Sequence, residues 1–320
     1  MSCYTHVTIR EREKILLMVN AGNKPVEIAR ALGRARSTIS REIARNTSRK
    51  TAYSAATSQE NYKHRRKRCR RNLRLDDPAV LEKVKSLLNL YWSPEQISVR
   101  LFVENHPIQV SASTIYRGFA SGKLGAKLRK KLRRRGRRKK GYVGSGVMPI
   151  SQSIHERPEA VDNRERIGDW ECDTIHGLRH KGSVATMVDR KSRYTLLAKL
   201  RNITAAEYTQ AVTDVFRRLA ASKVLTITCD QGKEFAEHKI LAQALSCTVY
   251  FADPGCPGQR GTNENTNGLL RQFLPKRKDF TVFSQDDLEA FAELLNRRPR
   301  KCLGWLSPYE VFSDTLLHLT

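Results

Sequence analysis

The chain has 320 residues, 39% of them hydrophobic, with 59 Lys and Arg against 32 Asp and Glu, a formal charge of +27. That length suggests two or three domains, and no apolar run of about 18 residues or charged-then-apolar leader argues for a membrane span or signal peptide. The seven cysteines are scattered without a C-x-x-C pair, which disfavours zinc ribbons and secreted disulfide frameworks and fits a reducing cytosol.

The charge is uneven. Residues 1–150 hold 35 Lys/Arg and 10 Asp/Glu, whereas residues 151–320 hold 24 and 22. A basic half joined to a nearly neutral half points to a polyanion, and nucleic acid is the expected partner. The first elements are helical. "TIREREKILLMVNAG" closes at Gly22, "KPVEIARALG" stops at Gly33, and "RARSTISREIARN" carries Ile39 and Ile43 four apart. Helix, short glycine turn and helix form a helix-turn-helix pattern. Arg36, Ser37, Thr38, Arg41 and Arg45 are left to face a DNA groove, although Arg34 takes a turn position that is commonly apolar. This assigns residues 1–60 to a DNA-binding domain.

Residues 61–122 read as a basic linker followed by a second helix-turn-helix-like unit. In "SPEQISVRLF", Ser93, Pro94 and Gln96 start a helix with a capping box. "SASTIYRGFASG" follows as a short helix with Arg117 outward. Residues 123–160 read as an interdomain linker, because 12 Lys/Arg fall within residues 123–141 without one acid. Such a block is expected to stay out of any core and to grip phosphates through Arg133, Arg134, Arg135, Arg137 and Arg138.

From residue 161 the pattern changes to three short strands, then helix, strand, helix, strand and a further helix, an α/β sandwich around a mixed sheet. In "GDWECDTIHG", Asp169, Glu171 and Asp173 share one strand face, while Trp170 and Cys172 point to the opposite, buried one. Asp230 directly follows the strand "VLTITC", at the carboxyl end where open α/β sheets place ligands. Glu264 opens a helix that Thr262 is expected to cap, with 33 residues separating it from Asp230.

The segments "WECD", "CDQGKEF" and "RGTNENTNGLLRQFLPK" resemble those of DDE transposases and retroviral-type integrases, most closely the insertion sequence thirty family of bacterial transposases. The resemblance spans nearly the whole chain. It implies α-helical helix-turn-helix regions followed by an α/β ribonuclease-H-like, integrase-like catalytic domain with a mixed sheet. It further implies a polynucleotidyl transferase that binds terminal inverted repeats and carries out strand cleavage and transfer, with Asp173, Asp230 and Glu264 as catalytic metal ligands. Gln231 stands where Asn is common in that family, and Gly255 and Gly258 stand where aromatics are expected.

Three acids suit hard Mg²⁺, or Mn²⁺, and phosphodiester transfer can use two such ions about 3.5–4 Å apart. Asp173 and Asp230 would share the first ion, Asp173 and Glu264 the second. Glu171 is an auxiliary ligand or faces solvent or a lysine, and His176 is a turn histidine or approaches the phosphate. Arg271 and Lys276 are further DNA contacts. Double-stranded DNA, as repeats and as target, is the partner, with a homo-oligomer pairing two ends in the bacterial cytoplasm and nucleoid. Residue types alone leave open a DNA-binding regulator with an inactive catalytic half, or a nuclease that hydrolyses without joining.

Overall fold

The computed structural model describes residues 5–48, 51–68, 73–133 and 152–318. Arg134, Arg135, Arg137 and Arg138 lie outside the described residues. The chain forms two compact units, Met1–Leu73 and Arg74–Thr320.

The first unit packs α1 (Ile9–Asn20), α2 (Pro25–Ala31), α3 (Arg36–Asn46) and α4 (Ala55–Arg68). Thr8 and Glu11 form a capping box that starts α1, and Gly22 and Gly33 take the positive φ that ends α1 and α2. Ile15, Ile28 and Ile39 are fully buried and join the three helices. Arg34 is no misfit in its turn: its guanidinium bonds Glu11 at 2.8 Å, and that bond leads the causes holding the Glu11 carboxyl at about 2. Buried Arg12 pairs with buried Glu42 at 2.7 Å.

The second unit opens with α5 (Pro78–Asn89), α6 (Pro94–Val103), α7 (Ala112–Ala120) and α8 (Gly125–Lys130). Val84, Leu88, Ile97, Leu101 and Ile115 form their core. The expectation that the basic run from residue 123 avoids a core is corrected here, since Leu124 and Leu128 are buried in it. Spaced four apart, they share one face of α8 while Lys127, Arg129 and Lys130 stay outside. Gly118 admits Leu75 and Leu124 closely: a Cβ there would stand 2.5 Å from Leu75 and 3.0 Å from Leu124.

After the short α9 (Glu159–Asp162) come β1 (Asp169–His176), β2 (Ser183–Asp189), β3 (Thr195–Leu200), α10 (Ala205–Phe216), β4 (Thr226–Cys229), α11 (His238–Leu245) and β5 (Thr248–Phe251). Then follow α12 (Gly261–Leu270), α13 (Gln285–Asn296) and α14 (Pro308–Ser313). The sheet order is β3-β2-β1-β4-β5. β1, β2 and β3 pair antiparallel, and β4 and β5 run parallel to β1. Trp170 and Cys172 pack with Tyr208 and Phe216 on one face, while Ile175 packs with Leu269 and Leu270 on the other. No helix among the described residues is long and apolar enough to cross a membrane.

Candidate active site

β4 ends at Cys229 beside the middle of β1, and this parallel pair sets Asp173 next to Asp230. One guanidinium spans them. Arg260 Nη2 donates to Asp230 Oδ2 at 2.7 Å, and Nη1 lies 3.5 Å from Asp173 Oδ1. The Nη1 group also donates to the Cys172 carbonyl at 3.2 Å, which fixes the fork. Burial raises the Asp173 pKa, and the charge of Asp230 adds to the rise against the pull of Arg260. Burial alone would lower the pKa of Arg260, but Asp173 and Asp230 outweigh it and raise it.

Glu264 lies on α12, exposed to solvent. Three residues on, Asn267 donates to Asp173 Oδ2 at 2.8 Å. Residues three apart are neighbours on a helix surface, so Glu264 stands one position along from the side chain that touches Asp173. Among the described residues, no three of His, Cys, Asp and Glu stand close enough together to hold a metal ion. Between Asp173 and Asp230 the cation is Arg260.

A fourth acid, absent from the sequence-based set, joins them. Asp230 Oδ1 accepts from the Gly232 amide at 3.0 Å. A Cβ at Gly232 would stand 2.6 Å from Glu234 Oε2 and 2.9 Å from Asp230 Oδ1, so glycine is what lets the two carboxylates share this turn. Burial raises the Glu234 pKa, and the charges of Asp230 and Asp173 add to it. The acid inside "QGKEF", four residues after Asp230, was the available signal.

The other two acids of β1 have different work. Asp169 is fully buried and accepts from Arg166 at 3.0 Å and Thr226 at 2.8 Å. Glu171 is neither an ion ligand in this arrangement nor solvent-facing: it is fully buried against Arg190 at 2.5 Å. Its second oxygen accepts from the Asn263 amide at 2.8 Å. Glu171 therefore supplies the acceptor at the start of α12, where negative charge is favoured. Thr262 does not cap α12; its hydroxyl accepts from Arg193 at 2.8 Å instead. Through Glu171 and Asn267, the strand carrying Asp173 also positions the helix carrying Glu264.

The expected DNA contacts are spread over the chain. Arg36, Ser37, Arg41 and Arg45 are exposed on α3, with Thr38 half-buried. Arg117 is exposed and folds back onto the Ser113 carbonyl at 3.3 Å. Arg133 donates to Asn265 at 3.5 Å, and Lys276 is exposed. Arg271 is half-buried and donates to the carbonyls of His176 and Leu274 at 3.2 and 3.3 Å. His176 Nδ1 lies 2.9 Å from Ser183 Oγ.

Asp173→Asn should raise the melting temperature of the metal-free chain at neutral pH. A carboxyl whose pKa is raised by folding binds its proton more tightly in the folded chain, so its contribution falls as the pH rises through the folded value. The gain is expected to be a few degrees, because about 1 kcal/mol moves a domain of this size by about 2–4 °C. It should shrink as the pH is lowered into the carboxylate range. Melts in chelator from pH 4 to 8 check this, and a variant that melts lower than wild type at neutral pH would refute it.

A four-helix first unit, a mixed five-stranded sheet and an acidic site where β4 ends against β1 define a DNA-acting integrase-type protein. The helix-turn-helix domain family matches residues 3–46, and the integrase core domain family matches residues 163–257. The chain is 41% identical to the transposase for insertion sequence element IS1086 of Cupriavidus metallidurans, covering 92% of this chain and 90% of that protein. It is 39% identical to the transposase for IS4351 of Bacteroides fragilis, over 97% and 96% of the two chains. The transposase InsI for IS30A of Escherichia coli is 38% identical, over 96% and 83%. The chain belongs to the IS30 family of insertion-sequence transposases.

Proposed function

We propose that this transposase binds the terminal inverted repeats of its own element through the first unit and cuts and joins DNA at the acidic site where β4 ends against β1. The observation that carries this reading is the convergence of Asp173 and Asp230 on one cation, Arg260, beside the helix of Glu264. The place between two carboxylates is already a cation's place, and an all-oxygen donor set suits Mg²⁺ or Mn²⁺. Asp173 and Asp230 would hold a first ion, and Asp173 with Glu264 a second. When bound, such ions supply activation of the attacking oxygen and neutralisation of charge on the phosphate.

The chain's own residues prepare that chemistry. Arg260 balances the two acids while no other cation is there, which keeps like charges together where β4 ends against β1. Asn267 fixes the Asp173 carboxylate, and Glu171 fixes the start of α12. On α3, Arg36, Arg41 and Arg45 present guanidinium groups suited to bidentate bonds with guanine, and Ser37 and Thr38 present hydroxyls for phosphates or base edges. Arg117, Arg133, Arg271 and Lys276 extend the phosphate contacts. The working form is a homo-oligomer holding two DNA ends in the bacterial cytoplasm.

Incubating the full chain with its element's ends and Mg²⁺, then mapping the products, tests the proposal. Strand breaks at the element's termini and joined strands are the expected products. Binding without any broken strand would leave only a DNA-binding regulator.

A further inference from the structure

A cavity of about 390 Å³ lies within the second unit, lined among others by Tyr91, Trp92, Arg133, Asn265, Arg298 and Arg300. Arg298 and Arg300 are 3% and 8% exposed. Buried guanidinium groups are ordinarily paired with carboxylates, yet among the described residues no carboxylate pairs with either. Arg298 Nη1 donates to Gln272 at 3.2 Å and Arg300 Nη2 to the Leu295 carbonyl at 3.2 Å. Arg298 Nε and Nη2, Arg300 Nε and the indole Nε1 of Trp92 have no hydrogen-bond partner among the described residues.

Each of these four orphaned atoms is a donor. A ligand that completes the cavity must therefore bring acceptors and negative charge. Burial, then the nearby charges of Arg300 and Arg133, lowers the Arg298 pKa to about 9. Arg300 falls to about 10, again chiefly through burial. An anion would relieve both. The volume exceeds what one phosphate fills and lies in the range of small-molecule pockets, so the groups flanking a phosphate can enter with it. Position narrows the choice of anion: Asn265, on the cavity wall, directly follows Glu264 on α12.

We infer that this cavity binds a backbone phosphate of the substrate DNA strand, next to the phosphate presented to Glu264. The inference rests on reading the acidic face as the cutting site. Its readouts are binding and melting, so loss of cleavage in the acid variants neither supports nor removes it.

The test uses the full chain, Arg298→Met and Arg300→Gln, with inorganic phosphate and with end duplexes carrying single uncharged methylphosphonates around the cut site. Inorganic phosphate should raise the melting temperature of wild type and not of either variant. One methylphosphonate near the cut should weaken wild-type binding about tenfold, the size of one hydrogen bond to a charged group, and should not weaken binding by the variants. Equal stabilisation of wild type and variants by phosphate would overturn the site. Stabilisation by phosphate with no sensitive methylphosphonate would make it a site for free anions and overturn the assignment to DNA. If one variant fails to fold, the other and the methylphosphonate scan on wild type decide.

Discussion

Asp230→Asn is expected to reduce strand cleavage and joining by about 10³-fold or more, the scale of loss when one member of a group acting as a unit is removed. The amide keeps the shape of the strand end and can still accept from the Gly232 amide, but it loses the charge that draws a cation between β1 and β4. Arg260 then keeps only Asp173 as a carboxylate partner at that place. Binding to the terminal repeats should persist, because the helix-turn-helix belongs to a separate compact unit. Asp173→Asn and Glu264→Gln should behave alike. Asp169→Asn should affect folding rather than chemistry, since Asp169 is fully buried against Arg166 and Thr226. Gel analysis of repeat binding and of cleaved strands on the same preparations checks both halves of the expectation.

Glu310→Ala is expected to cost about 1–3 kcal/mol of stability, the loss typical when buried donors are left unsatisfied, because Arg100 keeps Glu104 as a second carboxylate partner. Arg100 and Glu310 are 4% and 3% exposed and meet through two bonds of 3.1 and 2.5 Å. Glu310 also accepts from the Ser307 amide and hydroxyl at 2.7 Å each and from the Leu317 amide at 2.9 Å. Burial alone would raise its pKa, but these bonds outweigh burial and hold it below the usual carboxylate value. A carboxyl depressed by folding contributes above its unfolded pKa, and that contribution is lost as the pH falls through the folded one. Wild type should therefore lose this part of its stability in acid, and Glu310→Ala should not. Denaturant titration at pH 7 and pH 4 measures both effects. A loss below about 1 kcal/mol at pH 7 would refute the role of the pair, because exposed pairs contribute no more than that.

Local signals in the chain were legible where neighbours in sequence made the structure. Ser93 and Gln96 form the capping box expected of them, and the alternation about Trp170 and Cys172 puts both into the core. Asp230 stands at the end of β4, where the run "VLTITC" placed it. What escaped was set by distant partners. Spacing alone gave Asp169, Glu171 and Asp173 one face, but their roles separate because Arg190 comes to Glu171 and Arg260 to Asp173 from later segments, while Asp169 keeps its neighbour Arg166. The cap of α12 comes from Glu171, 92 residues before Asn263, so local capping chemistry pointed to Thr262 instead. Leu124 and Leu128 were hidden by the charges around them, although their spacing of four is a helix signal. Arg298 and Arg300 look like surface residues in "NRRPRK"; only the packing of α6, the turn before it and α12 around them shows a cavity.

The claim that Asp230 holds a divalent ion for strand cleavage is tested most directly by Asp230→Cys, assayed on the element's ends in Mg²⁺ and in Mn²⁺. Thiolate is a poor ligand for hard Mg²⁺ and a better one for softer first-row metals. No detectable cleavage is expected in Mg²⁺, with a measurable return of cleavage in Mn²⁺ beyond the change of metal seen with wild type. Cleavage by Asp230→Cys in Mg²⁺ at the wild-type rate would contradict that claim.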